Sequence, residues 1–208
     1  MRNTTKTAIL IGAAITAMAA PVAAQATSTP TAAPAAEAKT ARVSGSAQIR
    51  LTYWPDQDVR AFTFNAHAVP YSAPKPGLPN GLPTDARGIV KISHYSPEAG
   101  STVRSEARVD CLATSPGNAT LTAVVTKADE QIKDWIGRRF GFTVHDGGPG
   151  GGHDRMGFSW SVVNSDQNEE GAWGQGKVGT CMGPAAFAPV VKGDYNVRHA
   201  DLPPVPQG

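Results

Sequence analysis

Residues 102–112 read TVRSEARVDCL, and this stretch decides the fold class. Val103, Ser105, Ala107, Val109 and Cys111 share one parity, while Arg104, Glu106, Arg108 and Asp110 share the other. A period of two this regular describes a strand with one face in a core and one in water, the pattern of an antiparallel sheet. It predicts that Cys111 faces the core. Weaker copies of the pattern lie on both sides. Residues 60–69 (RAFTFNAHAV) put Phe62, Phe64, Ala66 and Ala68 on one face and Thr63, Asn65 and His67 on the other. Strands are also expected over 47–53, 89–95, 119–127, 140–144, 156–162 and 194–199, each bounded by turn residues. Only 128–136 has helical spacing, through Ile132, Trp135 and Ile136, with Gly137 as its stop. The expected fold is all-β: an antiparallel meander of about eight strands closed as a barrel or folded as a sandwich, with one short helix or turn.

Composition agrees. Among 208 residues there are 22 Gly and 17 Pro but only 17% charged residues, which suits turns and strands better than a helical bundle. The formal net charge is +2. Arg2 and Lys6 account for it, and beyond them the basic residues equal the 17 acidic ones in number. No basic stripe is left to neutralise phosphates, so nucleic acid is not an expected partner.

Arg2 and Lys6 introduce an apolar run (AILIGAAITAMAA), then Pro21 and the Ala24-Gln25-Ala26 cleavage pattern. Residues 1–26 therefore read as a Sec signal peptide, and the apolar run is shorter than the ~20 residues of a spanning helix. The mature protein is expected to be secreted, extracellular and without a membrane span. Residues 27–42 (TSTPTAAPAAEAKTAR) read as a disordered stalk, because they offer no large apolar side chain to offset ordering entropy. A single β domain is expected over 43–200, followed by a Pro-rich tail over 201–208.

Cys111 and Cys181 are the only two cysteines. In an oxidising compartment the default is one disulfide, with metal ligation or a catalytic thiol as alternatives. Closing a loop of about 70 residues is worth roughly 4 kcal/mol in the chain-entropy picture.

Three segments invite a functional reading. Residues 145–154 (HDGGPGGGHD) form a Gly-rich hairpin bracketed by His145-Asp146 and His153-Asp154. Asp146 and Asp154 with loop carbonyls suit Ca²⁺, and His145 and His153 add ligands for Zn²⁺; the plain alternative is a turn whose glycines take positive φ. A phosphate cradle is a weaker reading still, since the glycines open a strand and no Lys-Ser/Thr follows. Residues 164–171 (NSDQNEEG) resemble a calcium loop but place Glu169 and Gln175 where an EF-hand needs Gly and Glu, so a solvated turn is expected. Residues 70–87 form a long loop with Pro70, Pro74, Pro76, Pro79 and Pro83. It is either a surface connection or a recognition loop contacting a partner through Tyr71, Leu78 and Leu82. His67, His94 and His199 sit on separate strands and read as surface or hydrogen-bonded histidines. Neither G-x-S-x-G nor H-E-x-x-H occurs.

Phe64-Asn65-Ala66-His67, Ser93-His94-Tyr95, the string RVDCL over 108–112, and 140–150 with Asp154-Arg155 occur together. In these the chain resembles small secreted actinobacterial proteins that carry the borrowed label "repetin". The resemblance spans about residues 43–200. It implies a signal peptide and a β-rich domain, and it implies no activity. The expected function is a secreted, non-catalytic β domain that binds an extracellular protein or glycan or has a structural role at the cell surface. A protease inhibitor presenting residues 70–87 is one form of that reading. The alternative is a small hydrolase or divalent-cation-binding protein that uses His and Asp of the hairpin at 145–154.

Overall fold

In a computed structural model, residues 40–150, 152–160 and 163–207 are described. The signal peptide and all but the end of the stalk lie outside them. Strands β1 (Arg42–Ile49), β2 (Val59–Ala68), β3 (Ala86–Ser96), β4 (Ser101–Ser115), β5 (Asn118–Ala128), β6 (Arg139–His145), β7 (Arg155–Phe158) and β10 (Ala188–Arg198) close an antiparallel barrel. Its order is β1-β10-β7-β6-β5-β4-β3-β2, with β2 returning to β1. Sequential neighbours pair from β1 to β7, so most of the wall is a meander. Two short strands, β8 (Ser165–Gln167) and β9 (Trp173–Gln175), form a separate hairpin between β7 and β10.

Closure depends on the two partners of β1. Arg42 opposes His67 on one side and Arg198 on the other, and Gln48 opposes Ala61 and Lys192. Gly45 makes this possible: its φ is 127°, and a Cβ there would lie 2.9 Å from the Tyr195 Cα. The strand expected over 47–53 thus begins earlier, at Arg42, and ends at Ile49. The small residues of RVSGSAQI hide the alternation. At Gly45 the missing side chain is what lets β10 approach.

Phe62, Phe64, Phe142, Phe158, Leu121, Met156, Val90 and Tyr195 are almost fully buried and fill the middle of the barrel. Phe64 meets Phe142 and Tyr195 edge-on, with ring centres 5.7 and 5.4 Å apart. An eight-stranded barrel is just wide enough for such a filling or for one small ligand.

The short helix or turn expected over 128–136 is a 3-10 helix, Glu130–Trp135, with a kink at Ile132. One sequence expectation is corrected by an irregularity. Cys111 does not face the barrel interior. The register slips between Val109 and Cys111, so Cys111 opposes Thr122 while Leu112 opposes the interior residue Leu121. A bulge of one residue moves every later side chain to the other face. Cys111 is nevertheless fully buried, because residues 176–187 cross the outside of the wall as a strap. Gly141 and Gly157 let the strap lie flat, since a Cβ at either would lie 2.9 Å from the carbonyl carbon of Met182 or Ala185. Cys111–Cys181 pins it, with the two Cα atoms 5.4 Å apart. The Cys181 N–H donates to Thr122 Oγ1 at 3.2 Å.

Candidate functional site at one mouth of the barrel

The hairpin at 145–154 and the Pro-rich loop at 70–87 lie at the end of the barrel where β6 meets β7. There they close it. Asp154, 2% exposed, accepts the Gly147 N–H on Oδ1 at 2.9 Å and the Tyr195 N–H on Oδ2 at 2.8 Å. Asp146 accepts the Gly148 N–H on Oδ1 and the Val197 N–H on Oδ2, both at 2.9 Å. Each carboxylate oxygen thus has a backbone donor, and the hairpin is stitched to β10. His145 Nδ1 lies 3.0 Å from Asn118 Oδ1, and no hydrogen bond joins His153 to these groups. Among the described residues no group of three or more His, Cys, Asp or Glu is placed to hold a metal ion.

The Pro-rich loop at this end is organised by another buried carboxylate. Asp85 accepts the N–H groups of Ala73 (3.0 Å) and Leu82 (2.9 Å) and pairs with Lys75 Nζ (2.9 Å). Burial alone would raise its pKa, but the Leu82 N–H, the Lys75 ammonium and the Ala73 N–H outweigh that and hold it below the usual carboxylate range. Of the three candidate contact residues, Tyr71 donates its hydroxyl to the Pro203 carbonyl at 3.0 Å, Leu82 is half-buried, and Leu78 is exposed. Thr114, His199 and Asp201 also form a hydroxyl–imidazole–carboxylate chain, at 3.1 and 3.2 Å. Thr114 Oγ1 also accepts the Ala200 N–H, and the Asp201 side chain is 99% exposed, so this chain clamps the C-terminal segment to the wall.

The opposite mouth is open. A pocket of about 440 Å³ lies there, within the size range of small-molecule sites. Its floor and walls come from β2 (Phe62), β3 (Ile92), β4 (Val103, Ser105) and β7 (Phe158). Three connections rim it: Leu51, Tyr53 and Trp54 after β1, Ile132 and Trp135 in the 3-10 turn, and Trp160 after β7. Trp160 is the hub, with ring centres 4.2 Å from Phe158, 5.1 Å from Phe140, 5.7 Å from Trp135 and 5.8 Å from Phe62. Such clusters form a stiff wall with large apolar area.

The polar groups of this mouth are few. Arg60 Nη1 donates to Asp56 Oδ1 at 2.9 Å, and its Nη2 reaches both Asp56 and Asp58. Arg60 holds the Asp56 carboxyl below its usual range, and Asp56 in turn raises the guanidinium pKa. His94 Nε2 lies 2.6 Å from Asp58 Oδ2. Burial pushes the Tyr53 phenol up. The exception to this pairing is Ser105, which is 4% exposed and whose Oγ has no hydrogen-bond partner. His94 is engaged with Asp58 and makes no hydrogen bond to Ser105, so the pocket carries no hydroxyl–imidazole pair.

None of the sequence-predicted site residues lines this pocket. Three of the four tryptophans do. They stand far apart in the chain, so only the topology brings them together. Ser105 was visible as the one hydroxyl on the inward parity of residues 102–112. The fold and site together define a closed eight-stranded antiparallel barrel with an aromatic, ligand-sized pocket at one end. Compared with protein-family models, curated proteins and solved structures, the chain matches none.

Proposed function

We propose that the protein is a secreted binding module, not a catalyst, and that it holds a small, largely apolar molecule in the mouth of the barrel. One observation carries this reading: the two ends of one barrel are finished differently. At one end carboxylates saturate backbone donors. At the other, Trp54, Trp135 and Trp160 stand around a cavity of about 440 Å³ that the core side chains leave open. Apolar walls with a few polar groups are what a small-molecule site offers. Export in a disulfide-stapled barrel suits a carrier that works outside the cell.

The test is a titration of the purified protein with N-phenyl-1-naphthylamine, an uncharged dye that brightens in apolar surroundings. Saturable brightening in the wild type is expected. Ile132→Arg, which sets a charge in the mouth from the 3-10 turn, should abolish it without lowering the melting temperature. Absence of saturable brightening, or equal brightening in Ile132→Arg, would refute the proposal.

A further inference from the structure

We infer that the natural ligand is an uncharged molecule of ring-system size that enters with a hydroxyl or carbonyl group leading, and that Ser105 receives that group. This rests on reading the mouth as a ligand site and adds the ligand's chemistry to it.

Ser105 stands on β4 between Val103 and Ala107, on the inward parity, and lines the pocket. Among the described residues its Oγ is the single buried side-chain polar atom without a partner. A hydroxyl can both donate and accept, so a ligand hydroxyl or carbonyl completes it equally well. Leaving a buried polar group unpaired is costly, and native chains do so rarely. An unpaired hydroxyl beside an open cavity is one that a bound molecule would satisfy.

The surroundings specify the rest of the ligand. Phe62, Ile92, Val103, Phe158, Trp135 and Trp160 offer it no hydrogen-bonding side chain beyond the Trp N–H groups. The other polar lining is Ser93, Tyr53 and the paired Arg60 and His94, so the body of the ligand is mostly apolar. The charged groups lining the pocket are Arg60 and His94; their partners Asp56 and Asp58 do not line it. Arg60 pairs with both carboxylates and His94 with Asp58, so neither offers an unpaired charge to a ligand. An anionic ligand would find no free cation there, whereas an uncharged one needs none.

Three molecules with one ring system separate these statements: 2-naphthol, naphthalene and 2-naphthoate. Equilibrium dialysis would measure each against the wild type and Ser105→Ala. The preference for 2-naphthol over naphthalene should shrink about fivefold in Ser105→Ala, the worth of one ordinary hydrogen bond. Naphthalene affinity should stay unchanged, which also shows that the variant pocket is intact. The 2-naphthoate anion should bind weakest. An unchanged preference in Ser105→Ala would overturn the role of Ser105 while leaving the pocket reading in place. Tightest binding of 2-naphthoate would overturn the uncharged ligand. Failure of both naphthalene and 2-naphthol to bind would overturn the pocket reading together with the inference.

Discussion

Two buried serines should respond to alanine with opposite signs. Ser105 is 4% exposed and its Oγ has no partner. Ser159 is 3% exposed, and its Oγ accepts the Gly141 N–H at 2.8 Å. Removing the Ser159 hydroxyl strands a buried backbone donor, at a cost of about 1–3 kcal/mol. Removing the Ser105 hydroxyl strands nothing. It deletes a polar atom that was desolvated without compensation, beside a cavity that already exists, so little packing is lost. We expect Ser105→Ala to be more stable than the wild type by about 1–2 kcal/mol, the lower part of the penalty for an unmade buried hydrogen bond. A folded domain of roughly 160 residues gains about 3 °C per kcal/mol, since its unfolding entropy is about 0.3 kcal/mol per degree. Calorimetry without ligand should therefore show Ser105→Ala melting about 3–6 °C above the wild type and Ser159→Ala melting below it. If Ser105→Ala melts at or below the wild type, the hydroxyl contributes to the ligand-free fold and the reasoning fails. Saturating 2-naphthol should then narrow the gap between Ser105→Ala and the wild type, because binding stabilises the folded state in proportion to affinity.

Replacing both Cys111 and Cys181 by Ser should cost roughly 4 kcal/mol in urea unfolding, with the strap over β6 and β7 the first segment to exchange its amide hydrogens. Asp154→Asn should cost about 2–3 kcal/mol, because an amide offers one acceptor where the Gly147 and Tyr195 N–H groups need two. Thermal melts in chelator and in calcium should show the same loss; a loss larger in calcium than in chelator would restore a cation to the hairpin. Asp85 has a lowered pKa in the folded state, so its stabilisation is present above its unfolded pKa near ~4 and is lost as pH falls through the folded value. Asp85→Asn should accordingly lie below the wild type at neutral pH and converge on it in acid, and parallel curves down to pH ~2 would contradict this.

The fold was legible where side chains alternate and illegible where backbone geometry decides. β2 and β4 announce themselves because Phe62 and Phe64, or Val103 through Val109, recur every second residue. From such strands an all-β meander follows. Barrel closure does not, because it depends on β1 pairing with both β2 and β10, and the middle of β1 is Ser, Gly, Ser and Ala. The same blindness explains Cys111. Alternation carried straight through residues 102–112 puts it inside, and one slip of register puts it outside under the strap. The hairpin at 145–154 drew attention because two His-Asp pairs bracket a run of glycines. Its aspartates satisfy backbone amides of the hairpin itself and of β10, 41 and 51 residues later, and no local pattern encodes that partnership.

Chemistry-rich residues and the candidate site consequently fall at opposite ends of the barrel, and polar satisfaction tells the ends apart. Asp146 and Asp154 are conspicuous in sequence because they bracket a run of glycines. In the fold each has backbone donors enough to balance its burial, which leaves it little capacity for a ligand. Ser105 is inconspicuous, one small residue on a strand of valines and alanines. Yet it is the residue whose burial the protein does not balance. A chain under selection for stability alone would place Ala there, as it does at the next inward position, Ala107. Keeping the hydroxyl makes sense if another molecule completes it, and the pocket that Trp135 and Trp160 wall in lies at its side.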